Sequence, residues 1–111
     1  MTATLASLNA PMQALRLFAS EFPHLPAPAV SLSAVFPELL ELSFHDDFAG
    51  FEAWREALGI APETVSSHVH AHGRTRVLKV ETAYAGAWLR LVGFAKVLDS
   101  EVERSRAEVA S

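Results

Sequence analysis

An α+β fold, with elements in the order α-β-β-α-β-β-β, follows from three patterns in the sequence. Apolar residues recur at spacings of three and four, at Met12, Leu15 and Ala19 and again at Phe48, Phe51, Trp54 and Leu58, as on one face of a helix. Elsewhere apolar and polar residues alternate with the period of two of a half-buried strand. Two glycine-containing turns, His72-Gly73-Arg74-Thr75 and Tyr84-Ala85-Gly86-Ala87, then join the last three strands into a meander. The expected architecture is a single α+β domain over residues 1–111. In it an antiparallel sheet packs on a helix over 47–58, a marginal helix closes the C-terminus, and residues 1–9 and 100–111 fray.

The first helix is expected from Pro11 to about Ser20, because proline suits a first helical turn, where an N–H has no partner in any case. Leu5 and Leu8 extend its stripe backwards as a lead-in kinked at Pro11. Pro23, Pro26 and Pro28 make the following segment a loop. Val30, Leu32 and Ala34 alternate with serines in a first strand. Phe36-Pro37-Glu38 turns the chain, and Leu40, Leu42 and Phe44 alternate in a second strand. Asp46 and Asp47 are the N-cap candidates of the second helix, and Gly59 is its stop.

In the meander, two-residue loops at both turns fix a register. It sets Glu81 opposite Arg90, a favourable cross-strand pair, and sets Thr75, Val77 and Lys79 opposite His72, His70 and His68. One face then gathers Val65, Val69, Ala71, Leu78, Val80, Leu89 and Leu91. The tail begins Ser100-Glu101-Val102-Glu103, a capping-box pattern, with only Val102, Arg106 and Val109 as an apolar seam.

Composition narrows the class of protein. Half of the 111 residues are hydrophobic and a fifth are charged, which is the balance of a globular chain. The absence of cysteine excludes disulfides, thiol nucleophiles and cysteine-ligated zinc, and points to a reducing cytoplasm. No stretch has the roughly 18 apolar residues of a membrane span, and Met1 to Ala10 has neither the basic residue nor the apolar run of a secretory leader, so none is expected. The net charge is −4 with nine basic residues scattered along the chain, the densest at Arg74, Arg76 and Lys79. That is thin for a nucleic-acid footprint.

Three groups of residues bear on chemistry. His68, His70 and His72 point to one side of a strand at intervals of about 6.6 Å, so adjacent pairs can close on a zinc ion. The outer two stand about 13 Å apart and need ligands from a neighbouring strand, where the register supplies none. His45 beside Asp46 and Asp47 has the composition of a general base with carboxylate support, but the aspartates are better used as caps and no nucleophile has a motif context. Ser66 and Ser67 lack a nucleophile elbow, and five glycines form no phosphate loop. The third group is a mixed patch of Val77, Trp88, Val92 and Phe94 beside His70 on the second face of the meander, where a free face should be polar.

The stretch Leu-Glu-Leu-Ser-Phe-His-Asp-Asp-Phe-Ala-Gly-Phe-Glu-Ala-Trp-Arg-Glu-Ala-Leu-Gly-Ile, residues 40–60, resembles one found in small uncharacterised proteins of actinobacteria, some linked to phages or mobile elements. The resemblance implies an accessory or regulatory protein and transfers no catalytic residue. The expectation is therefore a non-enzymatic interaction module without a cofactor, homodimeric, binding a partner through Val77, Trp88, Val92, Phe94 and His70. One alternative is a DNA-associated transcriptional or mobile-element regulator acting through its arginines. The other is a metal-binding protein using the His68-x-His70-x-His72 strand.

Overall fold

Pro11 stands in the first turn of a helix, where its missing N–H leaves no hydrogen bond unmade. In a computed structural model, which describes residues 3–70 and 73–96 with His70 entering through its backbone alone, this helix (α1) runs over Asn9–Glu21. A single 3-10 turn, Leu5–Leu8, leads into it. Its buried stripe is Pro11, Ala14 and Phe18, while Met12 and Leu15 are half-buried and Ala19 is exposed. The helix is thus rotated from the expected face, and the rotation sends Phe18, its largest side chain, into the core.

β1 (Ala29–Leu32) and β2 (Leu39–His45) form an antiparallel hairpin. Its turn includes a bond from the Leu39 N–H to the Phe36 carbonyl of 3.0 Å. α2 (Phe48–Ala57) starts at Asp47, whose Oδ1 accepts from the Gly50 N–H at 2.9 Å and satisfies a free donor of the first turn. Asp46, the other expected cap, instead adopts a left-handed φ of 55°. The helix stops in a Schellman arrangement. Ile60 N–H reaches the Arg55 carbonyl, Gly59 N–H reaches Glu56, and Gly59 takes the left-handed conformation that such a stop requires. A second 3-10 turn, Pro62–Thr64, leads into β3 (Ser66–His70), followed by β4 (Thr75–Tyr84) and β5 (Ala87–Lys96).

The five strands make one sheet in the order β1-β2-β5-β4-β3. It is mixed, which corrects the antiparallel expectation: β5 lies parallel to β2, with Leu40 opposite Leu89 and Leu42 opposite Leu91. A parallel neighbour needs a long crossover, here supplied by α2 and the β3–β4 excursion, and no local turn announces such a pairing. The β4–β5 register is the expected one, with Tyr84 opposite Ala87 and Glu81 opposite Arg90. Ala85 and Gly86 both have positive φ, as a two-residue primed turn demands. The β3–β4 register is shifted by two residues: Val77 faces His68 and Thr75 faces His70. A shift of two keeps every side chain on its own face, so the division of the meander into faces survives.

Both helices lie on one side. Ala14 and Phe18 of α1 and Phe51 and Trp54 of α2 join Leu40, Leu42, Phe44, Val80, Leu89 and Leu91 in a single core. Trp54 is the junction. It meets Phe18 edge-on at 5.4 Å and Phe44 at 6.4 Å, and its Nε1–H donates to the Pro26 carbonyl at 2.7 Å, tying down the proline loop. Gly93 is small for a reason. A Cβ there would lie 3.1 Å from Phe48 Cδ1, so the glycine lets α2 settle onto β5. The expected C-terminal helix falls outside the described residues.

Trp54→Ala should lower stability by about 3–5 kcal/mol in chemical denaturation, since it removes a buried indole shared by α1, β2 and the loop. Gly93→Val should cost about 1–3 kcal/mol by forcing α2 off the sheet, and an unchanged denaturation midpoint would contradict the close packing.

Candidate functional site

With α1 and α2 on one side, the other side of the sheet carries the residues on which the functional expectations rest. The register orders them in rows across the strands. Glu41, Arg90 and Glu81 form one row, Ser43, Val92, Lys79 and Ser66 the next, and His45, Phe94, Val77 and His68 a third. Leu39, Trp88 and Ala83 form the row at the opposite end. The four apolar residues of the expected patch therefore do share a face, but burial divides them. Val77 and Val92 are only 4% and 6% exposed. Both stand outside the core cluster, and on their face no helix among the described residues packs. Phe94 is half-buried and stacks on the His45 ring at 5.2 Å with 11° between the planes. Trp88 alone presents a large apolar surface, at 44% exposure. His70 is placed by its backbone opposite Thr75.

Trp88 has neighbours that sequence reasoning missed. The β1–β2 connection brings Val35, 78% exposed, and Phe36, 64% exposed, to the same place. Together with Pro37, Glu38, Leu39, Trp88 and Arg90 they line a groove of about 480 Å³. The only sequence signal for this was a turn with two large apolar residues in it, where polar ones are usual. The turn is fastened to β5, because the Trp88 N–H donates to the Glu38 carbonyl at 2.8 Å.

Behind the groove, Arg90 is held between two carboxylates. Its Nε donates to Glu81 Oε1 at 2.7 Å and its Nη1 to Glu41 Oε2 at 3.1 Å. The Glu81 contact was legible from the β4–β5 turn; the Glu41 contact exists only because β2 pairs with β5. The Arg90 hydrogen bond is the chief cause that holds the Glu81 carboxyl below its ordinary range, against an upward push from partial burial. The charges of Arg90 and Lys79 and a hydrogen bond from Trp88 assist. The same Glu81 bond, helped by Glu41, holds the Arg90 guanidinium above its ordinary range.

The other expected sites are placed as follows. His68 and His70 lie on β3, His72 lies outside the described residues, and among the described residues no group of three or more His, Asp or Glu side chains is gathered for a metal ion. His45 turns to Phe94, while the Asp46 Oδ1 accepts from the Lys96 N–H at 3.4 Å and Asp47 caps α2, so the three form no acid–base unit. Ser66 and Ser67 are exposed on β3; the Ser66 hydroxyl donates to the Lys79 carbonyl, and Ser67 Oγ accepts from Arg76. The basic stretch is split by the sheet, with Arg76 on the helix side and Lys79 on the open side. No helix among the described residues is long and apolar enough to cross a membrane.

Comparison with protein-family models, with curated proteins and with solved structures gives no match.

Because the folded Glu81 carboxyl is held below its unfolded value, near 4.5, its stabilising effect is complete above about pH 4.5 and is lost as pH falls through the depressed folded value. Glu81→Gln should therefore lower stability at pH 7 by less than about 1 kcal/mol, as befits a partly exposed pair, and bring the variant level with the wild type at the acid end. Denaturation midpoints measured between neutral and acid pH would show the two curves converging.

Proposed function

We propose that the chain is a non-enzymatic interaction module of accessory or regulatory kind, acting as a homodimer, that receives a partner protein on the open face of its sheet. The observation that carries this reading is the meeting of Val35, Phe36 and Trp88 in one groove. Each exposes more than two-fifths of its surface, and single exposed apolar residues are ordinary whereas three together are not. Their combined exposed surface is on the order of 300 Å², comparable with the largest patches of monomeric proteins. Covering it would contribute about 7 kcal/mol before the cost of association.

The surroundings support the same reading. Trp88 and Phe36 are residue types enriched in the cores of interfaces, and Glu38, Glu41, Glu81 and Arg90 supply a charged rim. Val92, Val77 and Phe94 lie on the same face beyond the charged row, the two valines buried and Phe94 half-buried. The cysteine-free composition suits work in the cytoplasm.

A photo-crosslinking residue at position 36 should give a discrete adduct with one protein in cells producing the chain, whereas the same residue at Gln13, on the far side of the molecule, should not. Trp88→Asp should abolish the adduct while the variant still unfolds in one cooperative transition, at a cost in stability of about 1–3 kcal/mol. Equal labelling from both positions, or none from position 36, would remove the support for a docking groove.

A further inference from the structure

We infer that the groove takes a segment of a different protein in which a large apolar side chain has a lysine or arginine within about two positions of it. The inference rests on the docking reading above and adds the chemistry of the occupant.

The groove has an apolar end and an acidic end. Val35, Phe36, Leu39 and Trp88 make the apolar end, and the turn that carries the first two is tied to β5 through the Glu38 carbonyl. Glu38 itself lines the groove and is exposed. Glu41 and Glu81 stand one row along the sheet from Trp88, flanking Arg90. One row is about 6.6 Å, the separation of alternate side chains on an extended strand. An apolar anchor seated beside Trp88 therefore brings a side chain one or two positions away to the carboxylates.

Charge complementarity sets the sign of that side chain. Arg90 is the one cation among the residues lining the groove, and it is already shared, through Nε with Glu81 and through Nη1 with Glu41. Glu38 makes no ion pair among the described residues. Three carboxylates thus stand against one guanidinium. Lys79 and Lys96 are on the same face, but they lie two and four rows from Trp88. Even the nearer of these two is on the order of 13 Å away along the strands, beyond the roughly 8 Å over which charges act at physiological salt. An acidic segment would meet a cation already paired, whereas a basic one meets carboxylates with capacity to spare. The exposed ring of Trp88 favours a cation as well. A second copy of this chain fits poorly, because a two-fold contact through the groove sets one acidic rim against another.

A library of random peptides displayed on phage, panned on the full chain and counter-selected on Trp88→Asp, tests this. Peptides held by charge alone would prefer the variant, so the subtraction removes them. The peptides that remain should carry Lys or Arg within two positions of Trp, Phe or Leu and be poor in Asp and Glu. A fluorescent synthetic copy of the strongest should bind more weakly as salt is raised. Glu38→Lys, and separately the exchange of the basic residue of the peptide for Glu, should each weaken binding by about two- to fivefold. The two changes together should bind more tightly than either alone, since the charges are merely exchanged. Selected peptides that are neutral or acidic, or binding indifferent to salt and to Glu38→Lys, would overturn the inference and leave the groove as a docking site. A library that yields no peptide dependent on Trp88 would overturn it too, with the crosslink from position 36 still deciding the docking reading. A dimer that sedimentation shows to be lost in Phe36→Asp would make the occupant a second copy and overturn it as well.

Discussion

The parallel pairing of β2 with β5 is the constraint from which most of the molecule follows. Once β5 is inserted between β2 and β4, the chain between them must leave the sheet, cross it and return, and α2 is the part of that excursion that covers the core. The insertion aligns Leu40 with Leu89 and Leu42 with Leu91, so both central strands turn their apolar side chains to the same helices. It also sends β1 and β3 to opposite edges. Which strands lie at the edges of the sheet is thus a consequence of one strand pairing.

Trp54 fixes what that pairing allows. Its ring fills the angle between α1 and β2, and its single polar atom is used by the Pro26 carbonyl, so a buried indole leaves no donor unpaired. The proline loop is held to the domain by this bond and by the apolar contacts of Phe22 and Leu25. Tyr84 adds a second tie across the core, stacking near Phe18 at 4.5 Å and donating to Glu21 at 3.2 Å, and so links the β4–β5 turn to the end of α1. Both ties act on the C-terminal half of α1, at Phe18 and Glu21.

The open face shows how a polar row and an apolar groove are made from the same strands. Arg90 is flanked by Glu41 and Glu81 because three consecutive strands each bring a residue to one row, and side chains two residues along β5 belong to the next. Trp88 is the neighbour of Arg90 on that strand and stands at the edge of the row system, where the β1–β2 turn places Phe36 and Val35 beside it. Val77 and Val92 sit in the middle of the rows and are hidden, which moves the accessible apolar surface from the centre of the face to its end.

The sequence by itself determined the local elements and the division of faces. Asp47 and Gly59 bound α2, the Ala85-Gly86 turn sets the β4–β5 register and the Glu81–Arg90 pair, and the alternation of β4 and β5 separates core from open face, because each of these depends on residues close together in the chain. Where local signals left choices, packing decided. α1 turned to bury Phe18, and the β3–β4 register moved by two residues, a change that the period of a strand does not penalise. Only the tertiary structure decided that β5 lies beside β2, that Glu41 completes the Arg90 row and that Val35 and Phe36 join Trp88. These contacts link residues some fifty positions apart whose side chains carry no mark of one another, and the free energy that selects them comes from burying Leu40, Leu42, Leu89 and Leu91 together. No short stretch of sequence encodes that burial; it belongs to the sheet as a whole.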